Sequence, residues 1–124
     1  MNLLEHLAIR TISCTKEKAI LTMAVTDHHK QPFGLLHGGI NAVLIETACS
    51  LGANEHLEKA TNYAAGIDIQ VNHLKSVHKG LVTVIATPNR IGRSLQVWEA
   101  TIFNEANEPT AVGRCTLINN QIKK

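Results

Sequence analysis

The stretch from Gly38 to Asn54 reads GGINAVLIETACSLGAN and carries one charged side chain, the carboxylate of Glu46. Its other side chains are small, apolar or uncharged on nearly every face, which predicts a helix that is buried all round. One curved antiparallel sheet covers only one side of a helix, and a chain of 124 residues has little left for the other side. The stretch therefore predicts a second copy of the chain, packed against it in a symmetric dimer.

Glu46 is the most informative residue of that helix. Burying an ionised carboxylate costs several kcal/mol unless it is paired or neutralised, so a chain retains one in such a place for a reason. Ser50 follows one turn later and shares the face of Glu46. The small side chains around them leave room for a ligand, which predicts that Glu46 belongs to an active site. The structural alternative is a buried glutamate that accepts hydrogen bonds from backbone donors at a strand edge.

The segment before the helix supplies hydrogen-bond donors. Residues 31–39 read QPFGLLHGG and place His37, Gly38 and Gly39 at the helix N-terminus, where backbone N–H groups are free. Such groups suit the oxyanion that forms in acyl-transfer chemistry. Alternatively, His37 caps the helix and the glycine pair makes a tight turn. Gln31 could bond a carbonyl or orient a water, or it could be a solvated loop residue.

The rest of the chain predicts an α+β fold. A short helix over residues 3–7 and two strands precede the long helix, which runs to about residue 57, and four antiparallel strands follow. The predicted strands cover 9–14, 18–26, 63–75, 81–87, 94–103 and 110–118, with a break at Pro88-Asn89. Along the strand over 63–75, one face is expected to carry Ala65, Ile67, Ile69, Val71 and His73. No linker or repeat divides the chain, so residues 1–124 are predicted to form one domain.

Composition argues against several classes of partner. Aromatic residues make up 3% of the chain and the basic residues are spread along it, which disfavours nucleic-acid binding. No apolar run is long enough to span a membrane, and the start MNLLEHLAIR lacks the order of a signal peptide. The seven histidines do not have the spacing of metal ligands, so no metal site is expected.

The remaining reactive side chains have ordinary explanations. The three cysteines, Cys14, Cys49 and Cys115, are widely spaced without a CxxC pair, which predicts reduced thiols and a cytoplasmic location. Cys49 lies in the long helix, where it is expected to be a small apolar filler. His28-His29 is expected to form a solvated turn.

Two polar segments could contact a ligand. Arg90-Ile91-Gly92-Arg93-Ser94 lies between two strands, and two arginines with a serine around a glycine turn suit phosphate groups. The alternative is a solvated hairpin. His73 ends an apolar strand face beside Lys75 and Ser76, where it is either a ligand contact or a satisfied residue at the border of the core.

The run from Gln31 to Gly39, with Glu46 nine positions after His37 and Ser50 four positions further on, resembles the hotdog-fold acyl-CoA thioesterases. It is similar to the branch that contains the menaquinone-pathway 1,4-dihydroxy-2-naphthoyl-CoA thioesterase, the enterobactin-associated proofreading thioesterase and the phenylacetate-degradation type. Where relatives often carry a His before a Leu-Gly-Arg run, this chain has Arg90-Ile91. Other later segments match in order and spacing, namely Gly66, Asn72-His73, Ile91-Gly92-Arg93 and Gln96-Val97-Trp98-Glu99.

The resemblance implies a hotdog fold, in which a curved antiparallel sheet wraps around the helix over residues 38–57. It implies a homodimer that pairs into a dimer of dimers, with the active site at the dimer interface. Glu46 would be the general base or nucleophile with Ser50 beside it, Gln31 and His37 would come from the other subunit, and the Gly38 N–H would polarise the thioester carbonyl. The residues implied to bind the coenzyme A thioester are Gly66, His73, Leu74, Lys75, Ser76, Arg90, Ile91, Gly92, Arg93, Ser94 and Leu95.

These expectations favour a cytoplasmic acyl-CoA thioesterase that needs no cofactor, because the coenzyme A thioester is its substrate. Water attacks the thioester either with Glu46 as base or after Glu46 has formed an anhydride, and both routes stay open. The resemblance implies an aryl acyl group such as 1,4-dihydroxy-2-naphthoyl, and hence menaquinone biosynthesis. The alternatives are a hotdog hydratase or dehydratase of acyl thioesters and a non-catalytic acyl-CoA-binding protein, although a pure binder would have no need of a desolvated base.

Overall fold

One long helix packs against one face of a six-stranded sheet. The computed structural model describes residues 1–122. The elements are α1 (Leu3–His6), β1 (Arg10–Cys14), β2 (Ala19–Ala24), α2 (Gly38–Asn54), β3 (Asn62–His73), β4 (Leu81–Ile91), β5 (Leu95–Phe103) and β6 (Pro109–Gln121). A short 3₁₀ turn spans Asp27–His29. The α+β prediction is confirmed, including the order of the strands around the helix.

The sheet is antiparallel throughout, with the strand order β1-β2-β4-β5-β6-β3. The two edge strands are β1 and β3, and they differ in length. β1 has 5 residues, whereas β3 has 12. Within the described part of the chain, β3 pairs with β6 along one side, and no strand pairs with its other side.

α2 and β3 lie side by side and run in opposite directions. Near the end of α2, the side chain of Asn54 accepts a hydrogen bond from the Ala64 N–H at 2.8 Å and donates one to the Ala64 carbonyl at 3.2 Å. Near the start of α2, the Asn41 amide nitrogen lies 3.1 Å from Nδ1 of His73. The start of the helix therefore lies at the end of the strand.

Only one face of α2 is buried by its own chain. Leu44, Ile45, Ala48 and Cys49 have no exposed surface, which confirms that Cys49 is a core filler. Glu46 lies outside this buried face and is exposed. Within one chain the sheet covers one side of α2 and α1 borders the other, so burial of the helix on every side stays a prediction that depends on a second copy. No helix among residues 1–122 has both the length and the apolar character needed to cross a bilayer.

A bulge in β3 changes the predicted face of the strand. Gly66 lies opposite Leu117 and Asp68 opposite Thr116, so Ile67 is an extra residue in the ladder. Because one inserted residue reverses the alternation, Ile67 turns away from the helix and is 57% exposed. The strand therefore faces α2 with Gly66 before the bulge and with Ile69, Val71 and His73 after it, and the predicted grouping of Ala65 and Ile67 with the latter three is wrong.

β4 continues through the predicted break at Pro88-Asn89. The ladder to β5 shifts by one residue between Pro88 and Arg90, and the Asn89 amide donates to Glu99 at 2.8 Å. Proline is tolerated here because it lies at a bulge, and because β2 pairs with β4 only as far as Ala86. The strand therefore reaches Ile91 and carries Arg90 within it.

His29 is buried, contrary to the expected solvated turn, and its side chain is 2% exposed. Its Nδ1 accepts a hydrogen bond from the Thr26 N–H at 3.0 Å, and its Nε2 donates to the Leu7 carbonyl at 2.7 Å. A buried imidazole needs partners for both nitrogens, and these two backbone groups supply them. His29 thereby ties the segment after α1 to the loop that leads into α2.

Candidate functional site

The start of α2 is capped by His37. Its Nδ1 accepts a hydrogen bond from the Gly39 N–H at 2.8 Å, and its own backbone N–H donates to the His29 carbonyl at 2.8 Å. The capping role is confirmed, and it leaves Nε2 of the exposed ring available to a ligand. In residues 1–122 the Gly38 N–H has no hydrogen-bond acceptor, so it is a free donor at the positive end of the helix dipole.

Gln31 shapes the loop before the helix. Its Oε1 accepts hydrogen bonds from the N–H groups of Phe33 at 2.5 Å and Leu35 at 3.3 Å. The loop turns at Gly34, whose φ of 84° is costly for a residue with a side chain. Because the loop occupies the side-chain oxygen, Gln31 can offer a ligand its amide N–H groups.

Most of the predicted residues near the start of α2, but not His37, line a cleft of about 340 Å³, which we call the Gly38 cleft. Lys75 in this cleft makes an ion pair of 2.9 Å with Glu108, and that contact holds the pKa of the Glu108 carboxyl below its usual range. The cleft is lined by Gln31, Leu35, Leu36, Gly38, Asn41, His73, Leu74, Lys75, Ser76 and Val77. It is therefore rich in donors and poor in carboxylates.

Glu46 and Ser50 lie in a different cleft, between α1 and the uncovered face of α2. This Glu46 cleft measures about 490 Å³, within the range of small-molecule sites. Its walls are mostly apolar and consist of Asn2, Leu3, Leu4, Val43, Glu46, Thr47, Ser50 and Leu51. A carboxylate and a hydroxyl side by side in an apolar cleft can act on a polar bond of an otherwise apolar group.

The carboxylate of Glu46 lies over Gly66 of β3. A Cβ atom at position 66 would collide with Oε2 of Glu46 and would lie 3.5 Å from the sulfur of Cys115. The absence of a side chain at Gly66 thus makes room for the carboxylate. Burial raises the pKa of Cys115 to about 11 and raises that of Cys49 further, and the negative charge of Glu46 adds to both shifts. These thiols stay protonated at neutral pH and are not nucleophiles.

The two clefts are separate within one chain. Gly38 and Glu46 are eight residues apart on the same helix, which corresponds to about 12 Å along its axis. None of the residues that line one cleft lines the other. One chain therefore brings Glu46 together with Ser50 and Gly66, but it does not bring Glu46 to Gln31, His37 or Gly38.

The segment from Arg90 to Leu95 contains the end of β4, the exposed β4–β5 connection over 92–94 and the first residue of β5, at the other end of the sheet from His73. Leu95 lies opposite Ile118, and His73 lies opposite Ala111. Those two β6 residues are seven positions apart, or about 23 Å along the strand. One chain thus separates the two segments predicted to bind coenzyme A.

A partly buried polar network that was not predicted from the sequence holds this connection. Asn119 donates to the carbonyls of Arg93 at 2.9 Å and Gly92 at 3.3 Å, and its Oδ1 accepts from the Gln96 amide at 3.0 Å. Gln96 has no exposed surface, donates also to the Ala53 carbonyl at 3.1 Å, and accepts from the Trp98 indole at 2.9 Å. The signal available in the sequence was the position of Gln96 two residues before Trp98, on the same face of a strand.

Comparisons with known proteins agree with this architecture. The Thioesterase superfamily matches residues 33–111. The chain is 40% identical to a 1,4-dihydroxy-2-naphthoyl-CoA hydrolase of Listeria monocytogenes over 100% of both chains. It is 34% identical to the protein of that name from Escherichia coli K12, over 93% of this chain and 84% of the other. A crystal structure of a thioesterase from Haemophilus influenzae superposes with a TM-score of 0.92 at 38% identity, covering 98% of this chain and 84% of the other.

The hotdog fold implied by the sequence is confirmed by this superposition, since the six-stranded antiparallel sheet and its single long helix coincide with those of a solved thioesterase. The superfamily match covers more than half of the 124 residues. The chain therefore belongs to the Thioesterase superfamily and is a hotdog-fold thioester hydrolase.

Proposed function

We propose that this enzyme hydrolyses acyl-coenzyme A thioesters, and that each active site combines the Glu46 cleft of one copy with the Gly38 cleft of a second copy. The observation that carries the proposal is the position of Glu46, whose carboxylate lies over Gly66 in a mostly apolar cleft. No cation among residues 1–122 pairs with it. A carboxylate in such surroundings is available to accept a proton or to attack a carbonyl carbon.

The free edge of β3 supports the arrangement of two copies. An edge strand of 12 residues with no strand partner on one side is suited to antiparallel pairing with the same strand of a second copy about a two-fold axis, although Asn54 already bonds the backbone groups of Ala64. Because α2 lies along β3, this axis also sets the two helices in opposite directions. The start of one helix then approaches Glu46 of the other, and the Arg93 end of one sheet approaches the His73 end of the other. One two-fold axis therefore brings together both pairs of segments that lie apart within one chain.

In the proposed reaction, the thioester carbonyl oxygen accepts a hydrogen bond from the Gly38 N–H, which stabilises the negative charge that develops on it. In one route, Glu46 removes a proton from water while the water oxygen bonds to the carbonyl carbon. In the other, a Glu46 oxygen bonds to that carbon and water then cleaves the resulting anhydride. In both, the carbon–sulfur bond breaks, the thiol of coenzyme A leaves with a proton, and the free acid remains. Ser50 stands beside the carboxylate, where it can hold the water.

The walls of the Glu46 cleft favour an aryl acyl group. Leu3, Leu4, Val43 and Leu51 offer apolar surface, and a cleft of about 490 Å³ is large enough for a fused ring system. The Listeria monocytogenes and Escherichia coli relatives are named 1,4-dihydroxy-2-naphthoyl-CoA hydrolases, which supports the same choice. We therefore take 1,4-dihydroxy-2-naphthoyl-CoA as the first substrate to test, with a role in menaquinone biosynthesis and a cytoplasmic location as its corollaries.

The coenzyme A portion would lie between two polar segments. Arg90 and Arg93 are exposed at the β4–β5 connection and offer guanidinium groups to phosphates, with Ser94 beside them. Lys75 and Ser76 line the Gly38 cleft and would come from the second copy. The Asn119–Gln96 network fixes the backbone of the arginine segment, so its position does not depend on the ligand.

A thiol-release assay over a panel of thioesters tests the activity. We expect hydrolysis of 1,4-dihydroxy-2-naphthoyl-CoA and benzoyl-CoA with kcat/KM at least about tenfold above that for hexanoyl-CoA and palmitoyl-CoA. Equal values for aryl and aliphatic substrates would contradict the aryl preference while leaving the hydrolase in place. Absence of thiol release from every member of the panel would contradict the proposed function.

Subunit complementation tests the shared site. Chains carrying Glu46→Gln are mixed with chains carrying Gln31→Ala after reversible unfolding. In a mixed dimer, the intact Glu46 and the intact Gln31 meet in one of the two sites, so we expect activity well above that of either variant alone. The matched control mixes wild-type chains with chains that carry both substitutions, and its mixed dimers have no fully intact site. No recovery in the first mixture, or an active monomer by light scattering, would contradict a site built from two chains.

A further inference from the structure

Asn41 is a buried amide that is only half satisfied. It is 6% exposed and lies on the fourth residue of α2, facing the end of β3. Its Nδ2 lies 3.1 Å from Nδ1 of His73, 32 residues away in the chain. Within residues 1–122 its buried Oδ1 has no hydrogen-bond partner. An unpaired buried acceptor destabilises the fold, so an apolar side chain would be more stable here if Asn41 only filled space.

The imidazole of His73 packs directly on Gly38. A Cβ atom at position 38 would lie 3.0 Å from both Cε1 and Nε2 of the ring, closer than side chains normally approach. Gly38 is therefore needed for the ring to lie where it does. Both residues line the Gly38 cleft, and His73 is exposed to it. The edge of the ring that carries Nε2 thus lies beside Gly38, which has the free backbone N–H at the start of α2.

The contact with Asn41 determines which nitrogen of the neutral ring carries the proton. An amide N–H can donate to Nδ1 only if Nδ1 is unprotonated, and the single proton of a neutral imidazole is then on Nε2. The nitrogen that faces Gly38 is accordingly a donor. The same cleft therefore holds two N–H groups, one from the backbone of Gly38 and one from the side chain of His73, and neither has an acceptor among residues 1–122.

We propose that Asn41 is a positioning residue that holds His73 as its Nε2–H tautomer, so that His73 and Gly38 together donate to the carbonyl oxygen of the thioester. This inference deepens the proposed function and rests on it. Two donors on one oxygen stabilise the developing oxyanion more than one, and removing a single such donor typically lowers kcat by about 10²–10³. The unpaired Oδ1 lowers the stability of the fold, whereas the donors it accompanies act on the rate of the reaction.

Nitrogen-15 NMR of histidine-labelled protein tests the tautomer without any substrate. The spectrum is recorded at about pH 9, above the usual titration range of histidine. His29 serves as the internal reference, since its Nδ1 accepts from the Thr26 N–H and its Nε2 donates to the Leu7 carbonyl. We expect His73 to show the pattern of His29, with the proton on Nε2. A proton on Nδ1 of His73 in the wild-type chain overturns the proposal.

Asn41→Asp should favour the opposite tautomer of His73 with almost no change in side-chain volume. A carboxylate only accepts hydrogen bonds, so the neutral ring should move its proton to Nδ1 and lose the donor beside Gly38. With benzoyl-CoA at the same pH, we expect kcat to fall about 10–100-fold with KM changed less than about threefold. Asn41→Leu removes the hydrogen bond to Nδ1 without favouring either tautomer, so its kcat should fall less. Unchanged kcat in Asn41→Asp overturns the role of the tautomer.

The two measurements keep this inference distinct from the proposed function. If the wild-type chain shows the Nε2–H tautomer but releases no thiol from any thioester, the proposed function fails and the donor role of His73 fails with it. If the chain hydrolyses thioesters and His73 carries its proton on Nδ1, only the positioning role of Asn41 fails. The emission of Trp98 reports whether each variant is folded, because that side chain has no exposed surface.

Discussion

The indole of Trp98 lies against Gly52 so closely that no side chain fits between them. A Cβ atom at position 52 would be 2.5 Å from Cζ3 and 2.6 Å from Cη2 of the indole. Trp98 cannot retreat, because it has no exposed surface and its Nε1–H donates to Gln96 at 2.9 Å. This contact sets how near α2 lies to β5, and with it the height of Glu46 above the sheet.

We expect Gly52→Ala to destabilise the protein by about 1–2 kcal/mol. Alanine favours a helix by about 1 kcal/mol over glycine, but overpacking a rigid core costs typically 1–3 kcal/mol, and the distances place this site at the costly end. Urea unfolding measures the loss. The same substitution made in a Trp98→Phe background should cost less, because the six-membered ring of the indole is gone. Equal costs in the two backgrounds would show that the indole is not the obstacle.

Glu46→Gln should lower kcat by at least about 10³-fold without loss of the fold. The amide neither accepts a proton at neutral pH nor attacks a carbonyl, and the exposed position of Glu46 in a single chain means that no ion pair is lost. Steady-state kinetics with benzoyl-CoA measure the change. Glu17→Gln, the same change at an exposed carboxylate outside both clefts, is the matched control and should stay within about threefold of wild type. Near-normal turnover in Glu46→Gln would remove Glu46 from the reaction.

Arg93→Ala should raise KM for coenzyme A thioesters about tenfold with little change in kcat. A phosphate contact far from the carbonyl stabilises the bound substrate and the transition state alike. The effect should disappear with a pantetheine thioester, which lacks the nucleotide. Arg114→Ala, an exposed arginine in the middle of β6, is the control and should leave both constants unchanged. If Arg93→Ala raises KM equally for the coenzyme A thioester and the pantetheine thioester, Arg93 supports the fold instead.

Stability should decline on the alkaline side because of the buried thiols. Burial raises the pKa of Cys115 from 9.0 to about 11, so between those values the folded chain keeps a proton that the unfolded chain releases. The unfolded state is then favoured as pH rises, and the full contribution of the thiol is present only below the lower value. Urea midpoints measured under reducing conditions should fall over this window, and less steeply in Cys115→Ala. An identical slope in that variant would assign the decline to other groups.

The parts of the molecule that could be predicted from the sequence are local in the chain. The helix from Gly38, its free N-terminus and the pairing of Glu46 with Ser50 all lie within 20 consecutive positions, 31–50, so spacing alone determines their geometry. Helical periodicity and the turn chemistry of the glycines operate over the same short distance. The long helix ends three residues before the expected boundary, which is a difference of less than one turn.

The features that escaped prediction depend on partners far along the chain. His29 is buried because a carbonyl 22 residues away accepts its proton, and Asn41 meets His73 across 32 residues. The bulge at Ile67 and the passage of β4 through Pro88 are properties of a ladder between two strands, and neither strand shows them alone. The exposure of Glu46 has the same origin, since the sheet can cover only one face of α2.

The unequal edges of the sheet decide how far an assembly through them can grow. The β3 edge is long and carries Ile67 exposed beside a bulge, whereas the β1 edge has 5 residues, contains its own bulge between Thr11 and Ser13, and begins with the charge of Arg10. Two chains joined through β3 present only β1 edges to the outside, and short, bulged, charged edges resist further pairing. In the proposed dimer, growth into an open-ended fibre through the sheet edges would therefore stop after the first step.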